Sequence, residues 1–187
     1  MRMIVLVFLI LLFFTLLTNT TVKSYPVEAQ ALHAYLIEGS KQDELRDTES
    51  DSKLGQPGRK SIQIHDPYVY DMLGRIAPRG YWVSREVPPE YRVYFTGSSG
   101  MAWHRDQRII DGDYLEAVLT LHNTSDSEFE HKALFGTRSI RPRVGTLVMV
   151  KPGGIRHRVT PVTTGSREIL KFVLLPHQIR PPTYAAR

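Results

Sequence analysis

The stretch "GTLVMVKPGGIRHRVTPVTTGSREILKF", Gly145–Phe172, decides the fold. It opens with an apolar, β-branched run and is cut by "KPGG", Lys151–Gly154. It resumes at His157, is cut again at Gly165 and continues from Ser166. Short apolar runs separated by Gly and Pro read as strands joined by tight turns. Two polar residues stand out in it. His157 begins a strand directly after a turn, and Arg167 stands at the start of the next one.

The same rhythm extends upstream. From Gly80 onward "YWVSREV", "YRVYFTG", "MAWHRD" and "YLEAVLTLHN" precede "GTLVMVKPG", "HRVTPV" and "REILKFVLL". A spacing of about ten residues with turn signals between the strands predicts an all-β sandwich or barrel. "SIQIH" at Ser61 alternates like a strand. Asp66-Pro67 is an N-cap with proline at the first helical position, so "PYVYDMLGRI" is predicted as a helix. "VEAQALHAYLI", Val27–Ile37, is predicted as a second, short helix. Glu38–Lys60 is dense in charge, closes on Gly and Pro, and reads as a flexible linker. The predicted organisation is therefore a leader over 1–24, a helix and linker over 25–60, a β domain over 61–178 and a basic tail over 179–187.

Composition narrows the chemistry. The 187 residues include no cysteine, which excludes disulfides, thiolate zinc sites and cysteine nucleophiles. A metal would have to be held by His, Asp or Glu. Beyond the leader there are 22 bases against 19 acids, with no Lys/Arg block, so a solvated basic face is expected and nucleic acid is not. At the amino terminus, Arg2 precedes the apolar run Ile4–Phe14, which continues to Leu17. That pattern predicts targeting to the secretory route, with cleavage after Ser24 or Ala29, or with residues 3–21 kept as a membrane anchor. Asn123-Thr124-Ser125 is a glycosylation sequon in a polar turn, expected to be reachable.

A second stretch completes the reading. In "GMAWHRDQRIIDGD", residues 100–113, His104 and Asp106 are one residue apart and so share a strand face. With His157 brought in from a distant strand, two imidazoles and one carboxylate make a facial set for Fe(II), with open positions on the far side. Trp103 is expected in core packing. Arg158 should face away from His157, and Lys171 should share the face of Arg167. His33, His65, His122, His131 and His177 have no partners at ligand spacing, and nothing in the sequence positions Glu116 or Glu130.

The ordered set His104-x-Asp106, His157, Arg167 resembles the iron(II)/2-oxoglutarate-dependent dioxygenases, and within them the prolyl 4-hydroxylase-like branch. "HRVTPVTTGSR" matches that branch's spacing of His, Pro-Val, Gly and a terminal base, and "YFTGSSGMAWHRD" its Tyr-x-x-Gly segment before His-x-Asp. The resemblance covers roughly Tyr91–Leu175. It implies a double-stranded β-helix, the cupin-like jelly roll, with a few flanking helices. It also implies Fe(II) on His104, Asp106 and His157, and 2-oxoglutarate clamped by Arg167 with Tyr94 as a further contact. Ascorbate as a supporting reductant follows from the same likeness. The implied activity is hydroxylation of a peptidyl (prolyl among them) or small-molecule substrate with O2, releasing succinate and carbon dioxide. Asp106 points to hydroxylation, because halogenating members lack that carboxylate. The competing expectation is a non-catalytic, metal-binding cupin-like module for a ligand or sugar. Residues choosing the substrate are expected in Ser61–Glu90 and Asp126–Arg143; the sequence does not indicate an oligomeric state.

Overall fold

Alternation of apolar and polar residues across twelve short strands produces two antiparallel sheets in the computed structural model, which describes residues 20–39, 41, 44–47 and 59–177. In chain order the elements are β1 (Thr21–Ser24), α1 (Pro26–Glu38), β2 (Arg46–Asp47), β3 (Arg59–Gln63), α2 (Pro67–Ile76), β4 (Tyr81–Val83), β5 (Glu90–Phe95) and β6 (Met101–His104). They continue as β7 (Leu115–Asn123), β8 (Phe129–Lys132), β9 (Thr137–Ile140), β10 (Thr146–Val150), β11 (His157–Val159) and β12 (Ser166–Pro176). The large sheet runs β1-β10-β7-β12-β5-β3-β2, with β4 also on β12, and the small sheet runs β6-β11-β8-β9. This is the predicted all-β jelly-roll core with flanking helices.

The main core lies outside the sandwich, between the large sheet and the two helices. Ala29, Leu32 and Leu36 of α1 and Val69, Leu73 and Ile76 of α2 are almost fully buried against Leu119, Leu147, Leu170 and Phe172. Their three- and four-residue spacings put each set on one helix face. Burying each Leu or Phe contributes about 1.5–3 kcal/mol. α2 begins as its sequence dictates: the Asp66 carboxylate accepts from the Tyr68 amide at 2.8 Å, with Pro67 in the first turn.

The folded unit starts well before Ser61. β1 pairs with β10 along its whole length, and α1 belongs to the main core. The junction between them is tight. Gly145 has φ +83°, and a Cβ there would stand 2.4 Å from the Pro26 nitrogen, so only glycine fits. Both cleavage positions read from the sequence therefore fall in ordered elements, Ser24 at the end of β1 and Ala29 inside α1. The apolar run over 3–21 lies outside the described residues except for Thr20 and Thr21, as do the tail and most of the 40–58 segment. Among the described residues no helix is long and apolar enough to cross a membrane. Within the segment read as linker, Arg46–Asp47 pairs with β3 at the sheet edge.

Two further expectations change, and one stretch that the sequence left unassigned holds strands. Residues 126–143 contain β8 and β9, which charged positions such as Glu130, Lys132 and Arg138 disguise in the sequence. Trp103 is not a core residue: it lies on the outer face of the small sheet between Lys132, 4.2 Å from the ring centre, and Arg158, at 5.0 Å. The Asn123 side chain is half-buried and tied into the fold. It donates to the Pro142 carbonyl at 2.6 Å and accepts from Ser125, which is itself buried.

Candidate metal centre and co-substrate cavity

The register of the small sheet brings the distant histidines together. β11 lies between β6 and β8, with His157 directly opposite His104 on one side and His131 on the other. Paired residues in adjacent strands share a face, so the His104 and His157 rings stand 4.5 Å apart, centre to centre. Asp106 lies just past the end of β6. Its carbonyl accepts from the Gly153 amide at 2.9 Å, and Arg105 donates to the Gly153 and Gly154 carbonyls. The "KPGG" turn thus anchors the segment that carries the carboxylate. His104 Nε2 is 3.4 Å from Asp106 Oδ1 and His157 Nε2 is 3.4 Å from Oδ2. Ligand atoms of all three residues lie within 4.8 Å of one another. His131 stays outside this cluster.

The protons of the cluster are accounted for. His104 Nδ1 faces the Ala102 carbonyl at 2.8 Å and His157 Nδ1 the Ile155 carbonyl at 3.1 Å. A carbonyl only accepts, so each Nδ1 donates, and each neutral ring turns an Nε2 lone pair toward Asp106. With both rings neutral, two Nε2 lone pairs converge on the Asp106 carboxylate. His104 Nε2 is buried and makes no hydrogen bond among the described residues. This donor set fits a divalent cation, and the backbone carbonyls behind it fix the tautomers such an ion requires. The Asp106 carboxylate lifts the His104 imidazole above its ordinary value, whereas burial pushes the His157 imidazole below it. Burial also opposes ionisation of Asp106, but the adjacent imidazoles and Lys171 outweigh it and hold the carboxyl below its usual range.

The trio forms one end of a cavity of about 80 Å³ between the sheets, lined by residues of both. Val118, Val148, Val150 and Ile169 supply an apolar wall, and Arg92, Tyr94, Glu116, Arg167 and Lys171 the polar groups. Arg167 comes from β12, whose alternate residues Arg167, Ile169 and Lys171 all line this space, as the strand period requires. Arg167 is 4% exposed, and its Nε has no hydrogen-bond acceptor among the described residues. The turn before it is fixed by Gly165, φ +71°, where a Cβ would be 2.5 Å from the Thr124 carbonyl oxygen. Tyr94 faces Arg167 across the β5–β12 ladder. Burial alone would raise its phenol, but Arg92, Arg59 and Arg167 together carry it below the ordinary value.

The sequence did not anticipate two groups here. Arg92 reaches the cavity from β5, paired with Glu90 at 2.5 Å. Glu116 meets Lys171 at 2.5 Å, which gives the otherwise unplaced acid a position on the cavity wall. Both were encoded in strand alternation, Arg92 two residues before Tyr94 and Glu116 two before Val118. Only the register shows which face is inward.

No protein-family model matches the chain, and no curated protein sequence does. Solved structures do. A prolyl 4-hydroxylase from Pseudomonas putida superposes with a TM-score of 0.64 at 18% identity, over 85% of this chain and 93% of that one. The chain has the fold of the 2-oxoglutarate–Fe(II) oxygenases. A Trichoplax adhaerens prolyl hydroxylase, solved with a hypoxia-inducible-factor peptide, gives a TM-score of 0.64 at 12% identity, covering 86% of this chain and 85% of that one. HygX from Streptomyces hygroscopicus, solved with nickel, 2-oxoglutarate and hygromycin B, gives 0.57 at 13% identity, covering 88% and 86%. At these identities the likeness to the oxygenase fold concerns architecture, and the residues have to carry the chemistry.

Proposed function

We propose that the protein is an Fe(II)- and 2-oxoglutarate-dependent dioxygenase that hydroxylates a C–H bond of a peptidyl substrate, prolyl residues included, or of a small molecule, with release of succinate and carbon dioxide. One observation carries this reading. A single cavity has the converging trio His104, Asp106 and His157 at one end and, on its wall, a buried guanidinium without an acidic partner among the described residues. A bare metal site does not call for the second feature, and a bare anion site does not call for the first. An α-keto dicarboxylate joins them, chelating with one end and meeting the arginine with the other.

In this reading His104, Asp106 and His157 hold the metal, while Arg167 and Tyr94 receive the distal carboxylate. Bound iron supplies the redox chemistry that couples decarboxylation of 2-oxoglutarate to insertion of one oxygen atom of O2 into the substrate C–H bond. The chain's own part is placement. The Ala102 and Ile155 carbonyls hold the imidazoles in the ligating tautomer. Asp106 contributes a single negative charge, so a divalent ion keeps a net positive charge that attracts an anion. The valine and isoleucine wall excludes water around the reacting centre. Arg167 fixes the co-substrate by a two-pronged contact that lysine would not reproduce. The fold relatives solved with a peptide and with hygromycin B support both substrate classes. Ascorbate would keep the iron ferrous between turnovers, and the apolar amino-terminal run, as a cleaved leader or a retained anchor, supports delivery to the secretory route.

The test is succinate release from the purified protein supplied with Fe(II), 2-oxoglutarate and ascorbate. Turnover that disappears in His157→Ala supports the reading. Tight Mn(II) binding without affinity for 2-oxoglutarate would replace it with a metal-holding binding module.

A further inference from the structure

We propose that Arg92 and Arg167 act together as a two-arginine clamp for the distal carboxylate of the co-substrate, so that this cavity holds a dicarboxylate by three anchors, the metal centre and two guanidiniums, rather than two. This rests on the co-substrate reading above, and adds a binding residue on a neighbouring strand.

The ladder between β5 and β12 sets Tyr94 opposite Arg167 and Arg92 opposite Ile169. Arg92 and Arg167 are therefore diagonal neighbours on the cavity face. Diagonal residues of an antiparallel pair stand about 7–8 Å apart, well within reach of two long side chains converging on one group. Both side chains line the cavity, and the Nε of each is buried with no acceptor among the described residues. An N–H of a permanently charged group left without an acceptor in a buried setting is costly. Two such orphans facing one space call for a ligand with several acceptor sites. A carboxylate offers about four lone-pair directions, enough for one fork from each arginine.

The charges fit the same conclusion. Arg92 is already neutralised by Glu90 at 2.5 Å, and it also donates to the Tyr94 phenol. Lys171 is neutralised by Glu116. Arg167 has no such acid, so the clamp presents one uncompensated positive charge, which matches one carboxylate. Arg92 thus adds hydrogen-bonding geometry rather than net charge. Tyr94, paired with Arg167 across the ladder and hydrogen-bonded to Arg92, shares this part of the cavity wall with both.

The clamp is read by binding, apart from turnover. On the full chain loaded with Mn(II), calorimetry compares 2-oxoglutarate with 2-oxobutyrate, which keeps the chelating end and lacks the distal carboxylate. Arg92→Gln should weaken 2-oxoglutarate by about tenfold or more, the worth of one charge-assisted hydrogen bond, and leave 2-oxobutyrate and Mn(II) affinity unchanged. Unchanged 2-oxoglutarate affinity, or an equal loss for both acids, would overturn the clamp. Arg92→Lys keeps the Glu90 ion pair and serves if the glutamine variant fails to fold. It should lose part of the 2-oxoglutarate affinity, and wild-type affinity in it would likewise overturn the proposal. If the wild-type protein binds Mn(II) but not 2-oxoglutarate, the dioxygenase reading falls. Succinate and glutarate binding then decides the clamp separately: dependence on Arg92 upholds it, and independence ends it.

Discussion

On β12, Leu170, Phe172 and Leu174 point toward the helices and are 1% exposed or less, while Arg167, Ile169 and Lys171 point into the cavity from the positions between them. One strand therefore builds two unlike regions. The helix-side face belongs to a cluster of 19 buried apolar residues, whereas the apolar cluster between the sheets has only four, Phe129, Val148, Val150 and Ile155. In a two-sheet sandwich the space between the sheets is normally the core. Here that space is given over to arginines, carboxylates and imidazoles, and the hydrophobic stabilisation has moved to the outside of the large sheet. The helices are what make this possible, and α1 is as much part of the fold as any strand.

If the two faces are separable, a substitution on one should leave the other standing. The largest effect is expected at the metal end. Asp106→Ala or His157→Ala should cut Mn(II) affinity by more than about 100-fold, beyond the range seen when groups behind a ligand are removed. The melting temperature of the metal-free protein should stay within a few degrees of wild type. A large fall in that temperature would show that the trio also holds the sheets together, and the separation would be lost. Phe172→Ala makes the reciprocal test. Emptying that position, which is 1% exposed, should cost about 3–5 kcal/mol, and so lower the melting temperature by roughly 10 °C, at about 2–4 °C per kcal/mol for a chain of this size. Folded Phe172→Ala protein should still bind Mn(II) with wild-type affinity.

Strand alternation made much of this legible in advance. The inward face shared by Arg167 and Lys171 and the outward turn of Arg158 follow from a period of two, whereas the set His104, Asp106 and His157 was legible from its order and spacing. The Asp66 cap and Pro67 announced α2. Register was not legible. Nothing local in "EYRVYF" says that Arg92, rather than Tyr91, faces the cavity, because that depends on which neighbour β5 meets. Nor did the apolar face of Val27–Ile37 name its partner, since Leu119 and Leu147 lie far along the chain. β8 and β9 were hidden because residues such as Glu130 and Arg138 break the apolar alternation that marks a strand. The polar contact beneath the site was hidden for the same reason. Glu168, next to Arg167 but on the opposite face, accepts from Tyr91 and meets His33 of α1 at 3.0 Å.

The Lys171–Glu116 pair sharpens the comparison, because it is an ionic contact on the wall of the site rather than in the hydrocarbon core. Glu116 is 3% exposed, and burial already pushes its carboxyl above the usual value despite the neighbouring ammonium. Lys171→Met would leave that carboxylate uncompensated, at a cost of about 3 kcal/mol near neutral pH. The sign with pH follows from the raised folded-state value. The fold prefers the protonated acid, so the variant should be most stable in mild acid and weaken as pH rises through that value. Denaturant titrations of Lys171→Met at several pH values check this. A deficit independent of pH would mean that Lys171 stabilises by packing its alkyl stem. The double variant Lys171→Met/Glu116→Leu should recover most of the loss.

The smallest effect is expected farthest from the cavity. Asp126, in the turn after β7, accepts from the Thr163 amide at 2.9 Å, from the Thr163 hydroxyl and from the Thr164 amide at 3.1 Å. It thereby ties that turn to the loop leading to Gly165 and Arg167. These donors, the Thr163 hydroxyl foremost, hold its carboxyl down at about 2. A group lowered on folding stabilises above its unfolded value, about 3.9, and its contribution disappears as pH falls through the folded one. Asp126→Asn should therefore be slightly less stable than wild type at neutral pH, with the two unfolding curves converging as pH drops from about 4 toward about 2. The side chain is exposed, so water screens much of the effect, and the gap should be small beside that of Phe172→Ala. A small loss of stability with unchanged 2-oxoglutarate affinity would show that the loop is held at several points. A clear loss of affinity in the same variant would mean that the placement of Arg167 depends on this turn, and that the surface and the cavity are less independent than the two faces of β12 suggest.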